Sequence, residues 1–164
     1  MRAIPILCSI IAVLGSASAT CSEPEPAEQI CYNRPDATPQ NIDLKDIGAA
    51  AQRLRLYHAS QIRKHQSPFW KMKVADADNC AEWRAMTAGG AWVLVKLVGE
   101  RDAAVTFKDI ANTLTQGQGL VNCGAAGGQM GVIVDGGDAL YASPEFVSGG
   151  YTTEGLLVKV VRGP

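Results

Sequence analysis

The chain has 164 residues, of which 47% are hydrophobic and 19% are charged, and its formal net charge is −1 at pH 7. A balance this close to zero gives no bulk electrostatic field that would attract nucleic acid or an anionic membrane surface, so we expect no nucleic-acid partner. The length suits one domain with a real hydrophobic core.

The N-terminus has the pattern of a secretory signal peptide over residues 1–19. Arg2 precedes an apolar run from Ile4 to Leu14, and small residues follow as far as Ala19. The run is too short to cross a bilayer as a helix, and no second long apolar stretch occurs. We expect cleavage after Ala19 and a secreted, extracellular protein without a membrane span.

Four cysteines remain after removal of the signal peptide, an even number in an oxidising compartment, which predicts two disulfides. Of the three possible pairings, we favour Cys80 with Cys123, which flank the best-patterned region, and Cys21 with Cys31, both in the lead segment. No close Cys-x-x-Cys pair occurs and both histidines lie elsewhere, which disfavours a metal site. We expect neither a metal nor another cofactor.

The first elements in chain order are an extended arm and a helix. Residues 20–41 are proline-rich and polar, which predicts the arm. Asp43 is the expected N-cap of the helix, with Asp46 three residues on in a capping-box arrangement. Apolar residues then recur at helical spacing from Leu44, so the helix covers residues 44 to about 60.

Strand patterns follow the helix. Residues 69–74 alternate with lysines outward, and residues 80–86 form a second short strand. Residues 91–98 are nearly continuously apolar, which predicts a central strand buried on both faces apart from Lys96.

The second half of the chain begins with another helix. Thr106 is its expected N-cap, and Gly117 ends it. Residues 130–134 and 156–161 are the last two predicted strands, with a long loop over residues 136–154 between them.

This order of elements predicts an α+β domain over residues 42–164. We expect one antiparallel sheet of four to five strands with two helices packed on one face.

Two groups of residues are candidates for contact with a partner. Aromatic side chains in the long loop predict an exposed contact surface, formed by Tyr141, Phe146 and Tyr151. Residues 53–73 lean basic and could form a docking patch for an acidic polymer or lipid headgroup, chiefly through Arg53, Arg63 and Lys64. The alternative, which we favour, is a solvated helix face compensated by the acidic lead segment.

Three tryptophans fall on consecutive predicted strands: Trp70, Trp83 and Trp92. They could form a stacking platform for a sugar or a base. We favour the simpler interpretation that they supply core area to a small domain poor in other aromatic residues.

Enzymatic interpretations are weaker. A secreted nuclease could use His58, Glu82 and Arg84 around a ribose phosphate, although nothing in their spacing brings them together. The glycines of residues 117–137 follow a helix and precede a strand, the reverse of a phosphate loop, so we expect turns and close packing beside Cys123 instead. The expectation is that the protein has no catalytic residues and is not an enzyme.

Several segments together resemble a group of small secreted proteins of filamentous fungi that are regarded as candidate effectors. They are Cys80-Ala81-Glu82-Trp83, AWVLVKLVG, VTFKDIANTL, Asn122-Cys123-Gly124 and GGQMGVIV. More loosely, the order of elements is similar to that of Ecp-type necrosis-inducing effectors and killer-toxin-like α/β sandwiches. The resemblance implies a virulence-related action, without enzymatic activity, in the host apoplast or at a competing microbe.

We therefore expect a secreted, effector-like or toxin-like protein that binds an extracellular protein or a cell-surface target of a host or competitor. A small extracellular hydrolase, most plausibly a nuclease, is the alternative. A secreted inhibitor that presents the loop at residues 136–154 to a foreign enzyme is a third possibility.

Overall fold

The structure is a computed structural model, and it describes residues 23–77 and 80–164. The predicted signal peptide, Cys21, Asp78 and Asn79 lie outside the described residues.

The helices are α1 (Leu44–Arg63), α2 (Phe107–Thr115) and α3 (Pro144–Ser148). The strands are β1 (Ile30–Cys31), β2 (Phe69–Met72), β3 (Glu82–Ala88), β4 (Ala91–Leu97), β5 (Ala103–Thr106), β6 (Gly128–Gly131) and β7 (Leu156–Arg162). Short 3-10 turns span Val74–Asp76, Leu120–Ala126 and Ala139–Ala142.

A five-stranded antiparallel sheet with the order β1-β6-β7-β4-β3 forms the centre of the fold. Its middle strands, β4 and β7, pair continuously from Ala91 opposite Arg162 to Leu97 opposite Leu156. The predicted α+β class and antiparallel sheet are confirmed. β1 and β3 are the two edges of this sheet.

The prediction that all strands share one sheet is wrong for β2. This strand pairs instead with β5 in a separate two-stranded sheet, with Phe69 opposite Thr106. β5 was not predicted because its four residues do not alternate in polarity and run directly into the N-cap of α2. The short helix α3, capped by Ser143, is likewise an addition to the predicted loop.

Both long helices begin where the sequence predicts. Asp43 accepts a hydrogen bond from the Lys45 amide at 2.9 Å, and Thr106 accepts one from the Asp109 amide at 3.0 Å. Asp46 does not complete a capping box: its carboxylate accepts from the Gly90 amide at 2.8 Å and so holds the turn between β3 and β4. The N-terminus of α1 is thereby fastened to the sheet.

The hydrophobic core lies between the helices and one face of the five-stranded sheet. Inward-facing residues at alternating strand positions are fully buried against apolar residues of α1 and α2. The strand residues are Val93, Val95, Val158 and Val160, and the helix residues are Ile47, Leu54, Ile110 and Leu114. Lys96 differs from the prediction, because its side chain is itself largely buried. Its ammonium reaches Glu23 of the arm, with 3.1 Å between Nζ and Oε1.

A disulfide joins Cys31 of β1 to Cys123, with their Cα atoms 5.1 Å apart. The favoured pairing of Cys80 with Cys123, and of Cys21 with Cys31, is therefore wrong. The reason lies in strand pairing, since β1 adds to β6 with Cys31 opposite Gly128, and Cys123 stands in the turn that leads into β6. Cys80 is also disulfide-bonded.

The glycine-rich segment leaves the space that this disulfide needs. A Cβ atom on Gly128 would lie 2.8 Å from the Ile30 carbonyl oxygen and 2.9 Å from the Cys123 Sγ, closer than side chains tolerate. Gly124 and Gly127 both have positive φ angles, which glycine adopts at little cost. The predicted turns and close packing beside Cys123 are confirmed.

Candidate functional site

The aromatic residues of the long loop turn inward. Phe146 is only 8% exposed and packs on Phe69 of β2, with ring centroids 5.5 Å apart; Tyr141 packs on both rings, and Tyr151 on Phe146. The expectation of an exposed aromatic surface is wrong for Phe146, and the two tyrosines are only partly exposed. Local sequence could not show this, because Phe69 comes from a distant strand.

Tyr141 also secures the start of α2. Its hydroxyl accepts a hydrogen bond from the Thr106 amide at 3.0 Å and donates one to the Asp109 carboxylate at 2.6 Å. The hydroxyl thus bridges the two ends of the capping arrangement. Burial, together with the Asp109 bond, raises the pKa of Tyr141 above its ordinary value. The Tyr141 side chain therefore has a structural role in the fold.

The backbone of the loop is held close to β5 at its far end. Thr152 donates from its amide to the Asp102 carbonyl and accepts from the Ala104 amide, at 3.0 and 2.9 Å. Lys71 of β2 forms an ion pair with Glu145 of α3. The loop is therefore packed against the small sheet and does not project as an inhibitory loop would.

The basic residues of α1 are exposed, and the acidic arm does not neutralise them. Arg53 donates to the Thr87 carbonyl of β3 at 2.8 Å, while Arg63 and Lys64 lie in the open at the helix end. In the described part of the chain, none of the three forms an ion pair with a carboxylate. The arm acids have other partners: Glu23 pairs with Lys96, and Glu25 accepts from the Gly155 amide.

Each tryptophan has a different environment. Trp70 is 7% exposed, as predicted for a core residue, but Trp83 is 41% exposed, so the core interpretation is wrong there. The two rings meet edge to face, with centroids 6.3 Å apart. Trp92 is half-buried on the other face of the sheet, where the Arg84 guanidinium lies 4.5 Å from its ring centroid.

An aromatic groove of about 250 Å³ opens beside the edge strand β3. We call it the edge groove, and its walls are Tyr57, Trp70, Arg84, Ala85, Met86 and Phe107. Residues from α1, β2, β3 and the start of α2 meet here. Tyr57 and Phe107 stand edge to face, with ring centroids 4.7 Å apart, so their rings hold each other in place.

Sequence reasoning missed this groove, because its residues are far apart in the chain. Trp83 and Arg84 were the available signals, but the sequence patterns assigned Trp83 to the core and Arg84 to the nuclease alternative. Tyr57 falls at the helical spacing of the apolar residues of α1, but its side chain is 42% exposed. The tertiary fold alone brings it to Phe107 and to β3.

The residues of the nuclease alternative are not brought together. His58 is buried, its pKa is lowered chiefly by desolvation, and its charged neighbours are Lys108, Asp138 and Asp109. Glu82 instead pairs with Lys159 across the sheet, with 2.6 Å between Oε1 and Nζ. The structure thus gathers no acid–base set around His58 and Glu82.

A second cleft, of about 360 Å³, is acidic and is lined by Glu23, Glu25, Gly99, Glu100, Arg101, Thr152, Glu154 and Gly155. Burial is the largest influence on Glu25 and raises the pKa of its carboxyl. Across residues 23–77 and 80–164, no three His, Cys, Asp or Glu side chains are grouped so that they could hold a metal ion. Nor does any helix in that part of the chain have the length and apolarity to span a membrane.

Comparison with known proteins gave no relative: no protein-family model, curated protein or solved structure matches the chain.

Proposed function

We propose that the protein is secreted and acts without catalysis, by binding a target of a host or competing microbe outside the cell through the edge groove. The observation that carries the proposal is a concave aromatic site beside a strand edge, flanked by Arg53 and Arg84, which pair with no carboxylate of residues 23–77 and 80–164. Tyr, Trp and Arg are the residues that contribute most often to protein-binding hot spots.

Three further observations support an extracellular binding role. The N-terminal pattern is typical of a signal peptide. Disulfides such as Cys31–Cys123 persist mainly in oxidising compartments. The third support is the resemblance to fungal effector candidates, which implies a target in the host apoplast or on a microbe.

Secretion is tested by expressing the full chain in a filamentous fungus and sequencing the exported product by mass spectrometry. We expect a mature N-terminus at Thr20 in the culture medium. A protein retained in the cytosol with reduced cysteines would overturn this part of the proposal.

Binding is tested by titrating the fluorescently labelled exported protein onto plant cell-wall preparations and intact fungal cells. We expect saturable binding that is lost in Tyr57→Ala, which removes a wall of the groove, and in Trp83→Ala, whose ring packs edge to face on the groove wall Trp70. Leu56→Ala is the matched control, because Leu56 is 62% exposed, neighbours Tyr57 in sequence and is not a wall of the groove. Binding that both groove variants retain would reject the groove as the site.

The same preparations test the absence of catalysis. We expect RNA incubated with the exported protein to remain intact. Degradation that disappears in His58→Ala would favour the nuclease alternative and contradict the proposal.

A further inference from the structure

We infer that the edge groove takes an extended acidic segment of a partner protein, which runs along β3 and places one aromatic or large aliphatic side chain in the groove. This inference rests on the proposed function and goes further, because it specifies the chemistry of the partner.

The size of the groove favours a single side chain over a whole small molecule. Pockets that bind small-molecule ligands usually enclose about 300–1,000 Å³, and the groove, at about 250 Å³, is smaller. Its walls are largely apolar, with Met86 among three aromatic rings. A flexible thioether beside rings accommodates apolar anchors of differing shape.

The edge of β3 can accept an extended chain. Because β3 is the last strand of the sheet, one row of its backbone groups faces away from β4. In the described part of the chain, the only hydrogen bond that a side chain of another element makes to this backbone is the one from Arg53 to the Thr87 carbonyl. The stretch from Arg84 to Met86, which lines the groove, is left for a partner strand.

The charge around the groove specifies an acidic segment. Arg53 and Tyr57 lie four residues apart on one face of α1, and Lys64 follows at the C-cap of the helix. Arg84 of β3 also lines the groove, and its guanidinium lies over Trp92 on the other face of the sheet, where alternate side chains of a strand paired along β3 would point. Among the residues that the structure describes, no carboxylate pairs with Arg53, Lys64 or Arg84. The carboxylates that form ion pairs there do so with lysines, namely Lys45, Lys71, Lys96, Lys108 and Lys159.

Arg84 is oriented for this purpose. Stacking against Trp92 holds the guanidinium in one place and leaves the N–H groups around its rim available. A fixed planar donor set suits bidentate binding of a carboxylate. We therefore expect Arg84 to contribute more to binding than the exposed Lys64.

The experiment is a selection of random twelve-residue peptides on phage against the exported protein. We expect the enriched peptides to carry Asp or Glu on both sides of a Trp, Phe, Tyr or Leu. The best peptide, labelled with fluorescein, is then titrated by anisotropy. Arg84→Glu should weaken its binding about tenfold, and Tyr57→Ala about fivefold or more.

Arg34→Glu is the matched control. It makes the same charge change in the arm, after β1 at the opposite edge of the sheet, and should leave the affinity within twofold. Raising the salt concentration from 0.05 to 0.5 M should weaken binding to the parent and have less effect on Arg84→Glu. Circular dichroism and thermal melts show whether each variant is folded.

Each contrary result separates the inference from the proposed function. Enrichment of basic or uncharged peptides that still depend on Tyr57 would overturn the acidic segment and leave the groove as the site. No enrichment at all, or acidic peptides indifferent to Arg84→Glu, would also overturn the inference. Cell-surface binding that persists in both Tyr57→Ala and Trp83→Ala would reject the proposed function itself.

Discussion

At one edge of the five-stranded sheet, β1 is only two residues long and is cross-linked; at the other, the seven-residue β3 is open. The arm donates and accepts backbone hydrogen bonds along the β1 side, where Gly131 donates to the Pro26 carbonyl at 2.8 Å. The Cys31–Cys123 disulfide closes that side. At β3, Arg53 caps the Thr87 carbonyl, and aromatic rings face solvent. Exposed edges invite pairing with other chains, so a long edge left open opposite a two-residue, cross-linked one indicates a use.

The largest effect should come from opening the closed edge. The disulfide spans 92 residues, and the chain-entropy estimate for such a loop is about 4.6 kcal/mol. We expect the double variant Cys31→Ser/Cys123→Ser to unfold at much lower temperature and to be secreted poorly. Any folded fraction should still bind at the groove. Parent-like yield and melting temperature would contradict the importance of this edge.

A smaller effect is expected from Gly128→Ala. The new methyl group would press on the Ile30 carbonyl and the Cys123 sulfur, and overpacking of this kind typically costs about 1–3 kcal/mol. Thermal unfolding measures the change. Gly136→Ala is the control, since a Cβ there would meet no atom within 4 Å. Equal losses from the two variants would show that the disulfide does not require a glycine at position 128.

Acidification should lower the free energy of unfolding through His58. This residue of α1 lies against the Pro68 carbonyl and is faced by Lys108 and Asp109 of α2 and by Asp138. Its lowered pKa means that the unfolded state binds more protons below about pH 6.5, so the free energy of unfolding falls as the pH drops through that range. Denaturant titrations at pH 7.5, 6 and 5 measure this fall.

The second histidine provides the control for this prediction. His65 is exposed, so His65→Gln serves as the comparison variant for the pH dependence. His58→Gln should lose that part of the dependence, whatever its absolute stability. An identical slope in the two variants would contradict the assignment to His58.

The smallest change in stability is expected from Arg53→Ala. The variant loses one hydrogen bond from an exposed side chain, worth about 1 kcal/mol or less. Because the Thr87 carbonyl then becomes free, the open edge gains a pairing site, and self-association should increase. Analytical ultracentrifugation of Arg53→Ala and Arg34→Glu compares the two edges. A monomeric Arg53→Ala variant at high concentration would show that the arginine does not guard the edge.

Periodic patterns in the sequence predict the main elements of the fold. The apolar stripe of α1, the caps at Asp43 and Thr106 and the continuous apolar strand β4 are local features, and local rules find them. The strand β5 escapes because its four residues have no period, and its partner β2 lies about 30 residues earlier. Both α3 and the burial of Phe146 depend on contacts with β2.

The candidate site and the disulfide pairing are non-local, and therefore the sequence alone does not reveal them. Cys31 meets Cys123 because β1 pairs with β6 at one particular register. Trp83 is exposed because β3 is an edge strand, a fact about strand order. The groove exists only where α1, β2, β3 and α2 converge.

Hydrogen–deuterium exchange on the exported protein, free and bound to the best selected peptide, tests the central claim most directly. We expect the amides of β3, residues 82–88, to become protected on binding, while those of residues 23–31 and of β6 stay unchanged. Protection at the arm or at the acidic cleft, with β3 unaffected, would contradict the assignment of function to the open edge.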